Sequence, residues 1–198
     1  MKEMIKMVVV LTILSVTSGG SLAFLREKTQ DRIEKQQLKF VKGPAILAVL
    51  QNVGNDPTES YFKLNPGTKD ERSFFVGMVD GKEKFVAFES SGKGFGGDIG
   101  LMIGVDLETD QIAGVGVTTH AETPGLGARA KTEKEFTDQF KGKPLTETFK
   151  IKNDGGQIDA LSGATVTSRG VTEGVTQAGI VYKELKPQIL DGLKTLKK

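Results

Sequence analysis

The residues best suited to chemistry gather in Asp159-Ala160-Leu161-Ser162-Gly163-Ala164-Thr165-Val166-Thr167-Ser168, which sets five hydroxyl or carboxyl side chains in ten positions around a Gly-Ala centre. Directly after it, Val171, Val175, Ala178, Tyr182 and Leu185 recur at the spacing of an amphipathic helix. A small-residue turn therefore delivers its hydroxyls to a helix start. The first amides there lack intrahelical acceptors and the dipole is positive, so a phosphate would be held well. Gly163 and Ala164 would let the backbone come close to it. Ser and Thr before a helix are also ordinary caps, with Ser168 or Thr167 the natural candidates. On composition alone, capping is the simpler reading.

The rest of the chain narrows that chemistry. Its 198 residues allow one domain with an additional segment, and 37% hydrophobic residues can fill a modest core. A net charge of +2, with no basic run interleaved with aromatics, argues against a nucleic-acid partner. The absence of Cys excludes disulfides, thiolate metal sites and Cys-held iron–sulfur clusters. A single His argues against a zinc site or a bis-His haem, so no metal is expected. If this protein moves electrons, an organic cofactor such as a flavin fits, because its redox chemistry needs no protein ligand to a metal.

Residues 4–25 form an apolar stretch long enough to cross a bilayer, for which about 20 residues are needed. Lys2 and Lys6 open it and Arg26, Glu27 and Lys28 follow, so the positive-inside signal is nearly even. A cleaved signal peptide with Ser21-Leu22-Ala23 as its small-residue site is the alternative. The stretch continues past that site through Leu25, which favours an uncleaved anchor with a cytoplasmic N-terminus. We therefore expect residues 1–28 to be a single-pass anchor in the cell inner (cytoplasmic) membrane, and residues 29–198 an extracytoplasmic domain.

After a charged segment, Gly43-Pro44 predicts a break before a second short helix. From 61 to 119 the period drops towards two. Ser73–Val79 and Lys84–Glu89 flank Asp80-Gly81, and Ile99–Asp106 and Gln111–Thr119 flank Leu107–Asp110, which predicts two hairpins of an antiparallel sheet. Gly92-Lys93-Gly94-Phe95-Gly96-Gly97 satisfies G-x-G-x-x-G, but a strand follows it where a dinucleotide site needs a helix. Residues 131–141 read as one short helix with Phe136 and Phe140 on one face, and Leu145–Ile151 alternates like a strand. The helix after Thr167 is expected to end near Glu184, before Pro187, and a last amphipathic helix to follow.

Asp159-x-x-Ser162-Gly163-Ala164-Thr165-x-Thr167 resembles the flavinylation motif of the FMN-binding domain family at every fixed position. Gly94-Phe95-Gly96-Gly97 resembles that family's Gly-aromatic-Gly-Gly turn, and Glu122-Thr123-Pro124-Gly125-Leu126-Gly127 its segment beside the flavin. The resemblance covers roughly residues 30–198. It implies an α+β fold: a single N-terminal transmembrane helix, then an antiparallel-sheet FMN-binding domain with flanking helices. It also implies FMN joined covalently to Thr167 as a phosphoester by a dedicated flavin transferase. Ser162, Gly163, Ala164 and Thr165 would hold the phosphate, and Glu122, Thr123, Leu126 and Gly127 would border the ring. Asp159 would serve recognition by that transferase or simply form a turn.

Within the family, the anchor, short length and Glu122–Gly127 loop are most similar to the G subunits of Rnf complexes, which pass electrons between ferredoxin and NAD and couple this to ion translocation. The C subunits of sodium-translocating NADH:quinone reductases are the near alternative. Partners implied are other membrane subunits of such a complex, the flavin transferase and the membrane. No catalytic residue is assigned, because complete activity would belong to the assembly. An anchored binding module whose Ser/Thr turn only caps a helix, and a sensor with non-covalent flavin, stand as further readings.

Overall fold

The computed structural model describes residues 1–196 apart from Pro66 and Lys69. The chain divides into two compact units, Met1–Lys39 and Phe40–Lys198. The first is carried by α1 (Lys2–Gln37), a helix of 36 residues. Within its Lys2–Gln30 stretch an 18-residue window has a mean hydropathy of 2.0 and no burial, long and apolar enough to cross a membrane.

A π-helical segment, Leu38–Lys42, precedes α2 (Gly43–Val49). Pro44 sits in the first turn of α2. Lys42 before α2 is itself helical (φ −79°, ψ −42°), so the break predicted at Gly43-Pro44 is a change from π- to α-helix and not an interruption of the helical backbone.

Five strands follow: β1 (Tyr61–Leu64), β2 (Arg72–Val79), β3 (Lys82–Lys93), β4 (Asp98–Asp106) and β5 (Ile112–Val117). They form one antiparallel meander in sequence order. The β2–β3 turn is Asp80-Gly81, both with positive φ (51° and 73°), as a two-residue hairpin with the right twist requires. Both predicted hairpins are present, and the short edge strand β1 adds to them.

The helix α5 (Thr165–Leu196) lies along one face of the sheet, mainly over β3, and α2 covers β4 and β5 on the other. Alternation along each strand sets this. Leu101, Ile103 and Val105 of β4 join the α5-side core, whereas Gly104 lies under Val49 of α2. An aromatic file crosses the α5 side: Phe62 stacks on Phe74 at 5.5 Å, Phe74 meets Phe88 at 5.5 Å, and Phe88 stacks on Tyr182 at 6.2 Å.

The start of α5 is pressed directly on β3. A Cβ at Gly92 would fall on the carbonyl of Gly170, and one at Gly170 would lie 2.6 Å from the carbonyl oxygen of Lys93. Ser90 Oγ donates to the Gly174 carbonyl at 2.8 Å, which fastens the crossing. This close approach brings the first turn of α5 to the end of β3 and the loop after it.

Three expectations are corrected. Leu145–Ile151 is not a strand: Leu145, Phe149 and Ile151 are buried, but the segment's polar groups go elsewhere. Phe149 N donates to Thr176 Oγ1 on α5 at 2.9 Å, Gly179 abuts the Leu145 carbonyl, and only Ile151 bridges, to Ile158. The alternation therefore reflects packing beside α5. Residues 131–141 are not one helix but α3 (Arg129–Thr132) and α4 (Lys134–Asp138), separated by an extended Glu133. That residue redirects the chain so that Ala130, Phe136 and Phe140 all reach the core.

Nor does α5 end before Pro187. It runs through it to Leu196. An interior proline costs about 3 kcal/mol. Here the ring faces solvent while Ile189 and Leu193 beyond it are buried, and Gly192 packs against the Phe62 ring. Burying two such side chains contributes about as much as the proline removes.

Candidate functional site

Thr167 lies in the first turn of α5. The turn before it is built by Gly163 in the left-handed region (φ 75°) and by the Ala164 amide, which donates to the Leu161 carbonyl at 3.0 Å. Ser168, fully buried, closes this turn: its Oγ accepts from Leu161 N and donates to the Ala164 carbonyl, each at 3.0 Å. Ser168 thus satisfies a loop amide, and neither it nor Thr167 caps a free amide of the helix. Among the described residues, the first-turn amide that finds a backbone acceptor outside the helix is that of Ser168, to Ala164. The amides of Thr165, Val166 and Thr167 precede any intrahelical acceptor.

The Thr167 hydroxyl turns away from the helix and donates to Glu122 Oε2 in a short hydrogen bond. Both residues are buried, at 2% and 6% exposure. The other oxygen, Glu122 Oε1, accepts from Gly96 N at 2.8 Å, and Glu122 N donates to His120 Nδ1 at 3.3 Å. The buried carboxylate is therefore satisfied by two neutral donors, one from the β3–β4 turn and one from α5, as burial requires. Gly127 completes the enclosure. A Cβ there would fall on Glu122 Oε2 and lie 2.5 Å from Thr167 Oγ1, so only glycine fits beside the pair.

Arg129 ties this loop to the Ser162 turn. Its Nη1 donates to the Ser162 carbonyl at 3.1 Å, while Nε and Nη2 fork onto Glu133 at 2.6 and 3.1 Å. Arg169 forks onto Asp154 at 2.7 and 2.8 Å, and this guanidinium holds the Asp154 carboxyl below its ordinary range. The Asp159 carboxylate does not form a turn. It is exposed and pairs with Lys152 at 2.7 Å, and its backbone is clamped by the Gln139 side chain at 2.7 and 3.2 Å.

Of the residues singled out in the sequence, Thr167, Glu122 and Gly127 converge, and Leu126 lies beside Gly163. Ser162, Gly163 and Thr123 are exposed, Thr165 is half-buried and Ala164 is buried in the turn. Thr123 contributes its carbonyl, which accepts from Leu126 N and Ala128 N at 3.2 Å each. The Gly96 amide, His120 Nδ1 and Arg129 were not singled out as parts of the site. The sequence signal was the Gly-Phe-Gly-Gly turn, whose backbone proves as important as its glycines.

Three apolar side chains next in sequence to the residues of the pair and its enclosure are exposed: Phe95 (77%), Leu126 (47%) and Val166 (44%). Open helix amides, a hydroxyl at the first turn and exposed apolar side chains adjacent in sequence fit a ligand with a phosphate and a planar aromatic ring. FMN is such a ligand.

The comparisons with known proteins agree. The FMN-binding domain matches residues 94–179, which run from the β3–β4 turn into α5 and include every site residue named above. The G subunit of the ion-translocating oxidoreductase complex of Pseudomonas aeruginosa is 30% identical over 89% of this chain and 87% of its own length. Its counterpart in Methanosarcina acetivorans is 31% identical over 89% of this chain and 93% of its own length. The C subunit of the Na(+)-translocating NADH-quinone reductase from Parabacteroides distasonis shares 30% identity over 68% of this chain and 71% of its own, with a TM-score of 0.49. The class is that of the FMN-binding domains, in an α+β fold with an N-terminal apolar helix. Within it, the chain belongs to the family of ion-translocating oxidoreductase complex G subunits.

Proposed function

We propose that this chain is an electron-carrier subunit of an Rnf-type ion-translocating oxidoreductase complex, with FMN held covalently as a phosphoester on Thr167. The observation that carries the reading is the Thr167 hydroxyl itself. It stands at a helix start with open amides, engaged by a carboxylate and not spent on capping. When bound, the flavin supplies reversible electron transfer, which these side chains do not offer by themselves. The amides of Thr165 and Val166 and the hydroxyls of Ser162 and Thr165 would take the phosphate, with Gly163 and Ala164 permitting close approach. Glu122, Thr123, Leu126 and Gly127 would border the ring, together with Phe95 and Val166. A ring tethered at its phosphate needs only weak contacts to stay in place, because the link keeps its effective concentration high. An exposed rim suits a carrier that must present its ring to partner subunits.

In this reading residues 1–28 anchor the chain, single-pass, in the cytoplasmic membrane, and residues 29–198 form the extracytoplasmic domain. The apolar, unburied stretch of α1 supports the anchor. The assembly would move electrons between ferredoxin and NAD and use them to translocate ions, and a flavin transferase would mature this subunit. The test is expression of the full chain with and without that transferase, followed by flavin fluorescence in a denaturing gel. Wild type should fluoresce only with the transferase and Thr167→Val should stay dark. A fluorescent Thr167→Val band would move the attachment elsewhere.

A further inference from the structure

We infer that Glu122 is the residue that takes the Thr167 proton during flavin attachment, an assignment that rests on Thr167 being the attachment point. A threonine hydroxyl is a weak nucleophile and needs a base beside it. Thr167 already has one: its proton is directed at Glu122 Oε2, and the hydroxyl is buried against that carboxylate. A base brought by the transferase would have to displace this partner first.

Access to the hydroxyl does not require Glu122 to leave. Glu122 is held from two independent sides, by Gly96 N on Oε1 and by His120 Nδ1 on its own amide. The cover over Thr167 comes from Gly127, beyond the turn at Gly125 (φ 74°). Lifting the Gly127 end of the loop uncovers Thr167 Oγ1 and leaves the carboxylate at its anchors.

The chemistry balances with a flavin phosphoanhydride as donor. FMN alone has no good leaving group, whereas a flavin dinucleotide has one. The bond between Thr167 Oγ1 and the flavin-side phosphorus forms as the anhydride P–O bond breaks, and the departing nucleotide phosphate keeps the electron pair. The proton moves from Thr167 Oγ1 to Glu122 Oε2, and nothing is oxidised or reduced. The transfer also leaves Glu122 neutral next to the new phosphodiester anion, where two adjacent negative charges would repel.

The experiment is a time course of intact mass for the full chain in detergent, incubated with flavin transferase and flavin adenine dinucleotide. Glu122→Gln keeps the size and a hydrogen-bonding group but cannot take the proton. It should be modified about 100-fold more slowly than wild type or worse, in the range typical of a lost general base. Glu122→Asp should fall between them, and formate should accelerate Glu122→Ala by standing in for the carboxylate. Modification of Glu122→Gln within about threefold of wild type overturns the assignment. If circular dichroism shows Glu122→Gln unfolded, the formate arm decides, and no acceleration overturns it. A wild-type chain that takes up no flavin sinks the attachment reading itself, a different failure from an indifferent Glu122→Gln.

Discussion

Replacing Thr167 by Val tests the buried pair before any flavin is present. Valine matches threonine in shape and removes only the donor to Glu122 Oε2. Gly127 leaves no space for a water to replace it, since even a methyl there would meet both partners. The carboxylate oxygen, on a residue only 6% exposed, then loses its donor. A hydrogen bond to a charged group contributes about 1.5–3 kcal/mol, so the loss should be about 2 kcal/mol. For a domain of this size that lowers the unfolding midpoint by roughly 4–8 °C. The assay is calorimetry of the full chain in detergent, produced without flavin transferase so that no adduct intervenes. Thr167→Ser keeps the donor, loses one methyl and should cost only about 1 kcal/mol. The double variant Thr167→Val/Glu122→Gln should be less destabilised than the sum of its parts by about 1–2 kcal/mol. A Thr167→Val midpoint within about 1 °C of wild type, or Thr167→Ser as the weaker variant, would refute the pairing as a structural element.

Gly127→Ala should destabilise the apo chain by about 1–3 kcal/mol through overpacking against Glu122 and Thr167, measurable by urea titration. Gly92→Ala should be worse and reach beyond the site, because its methyl would fall on the Gly170 carbonyl and lift α5 from β3. Loss of protection of the first turns of α5 in hydrogen exchange would report it. The third prediction concerns pH. Asp110 accepts from Lys186 Nζ at 2.6 and 2.7 Å and from the Tyr182 hydroxyl at 2.8 Å. Burial pushes its carboxyl up, but the bonds from Lys186 and Tyr182 outweigh this and hold it below the ordinary 3.8. A carboxylate lowered in the folded state contributes stability that is present above 3.8 and is lost as pH falls through its folded value. Acid titration should therefore show a steeper loss below that pH for wild type than for Asp110→Asn.

Much of this was legible from local signals. Asp80-Gly81 demanded a hairpin because both residues accept positive φ. The run from Val171 to Leu185 placed a helix after Thr167 because its apolar face matches the sheet beneath. What failed did so for tertiary reasons. Leu145–Ile151 buries Leu145, Phe149 and Ile151 beside α5 while Glu147 stays exposed, and periodicity alone does not tell a strand from an extended segment satisfied by a helix side chain such as Thr176. Pro187 reads as a stop because propensity cannot see that Ile189 and Leu193 beyond it are buried. At the site, Thr167, Glu122 and Gly127 could each be named from their motifs. That the carboxylate would meet the hydroxyl could not, because 45 residues separate them and they meet through tertiary contacts, the glycine crossing of α5 on β3 and the Arg129 bond to the Ser162 carbonyl. The Gly96 amide was invisible for a simpler reason: a backbone donor carries no side-chain signature.

Thr167 is the residue proposed to carry the flavin. Its most direct test is the intact mass of the protein from its native membrane, with mapping of the peptide spanning Asp159–Arg169. The expected result is a gain of FMN less water, located on Thr167. An unmodified peptide, recovered from membranes whose flavin transferase is active, would contradict it.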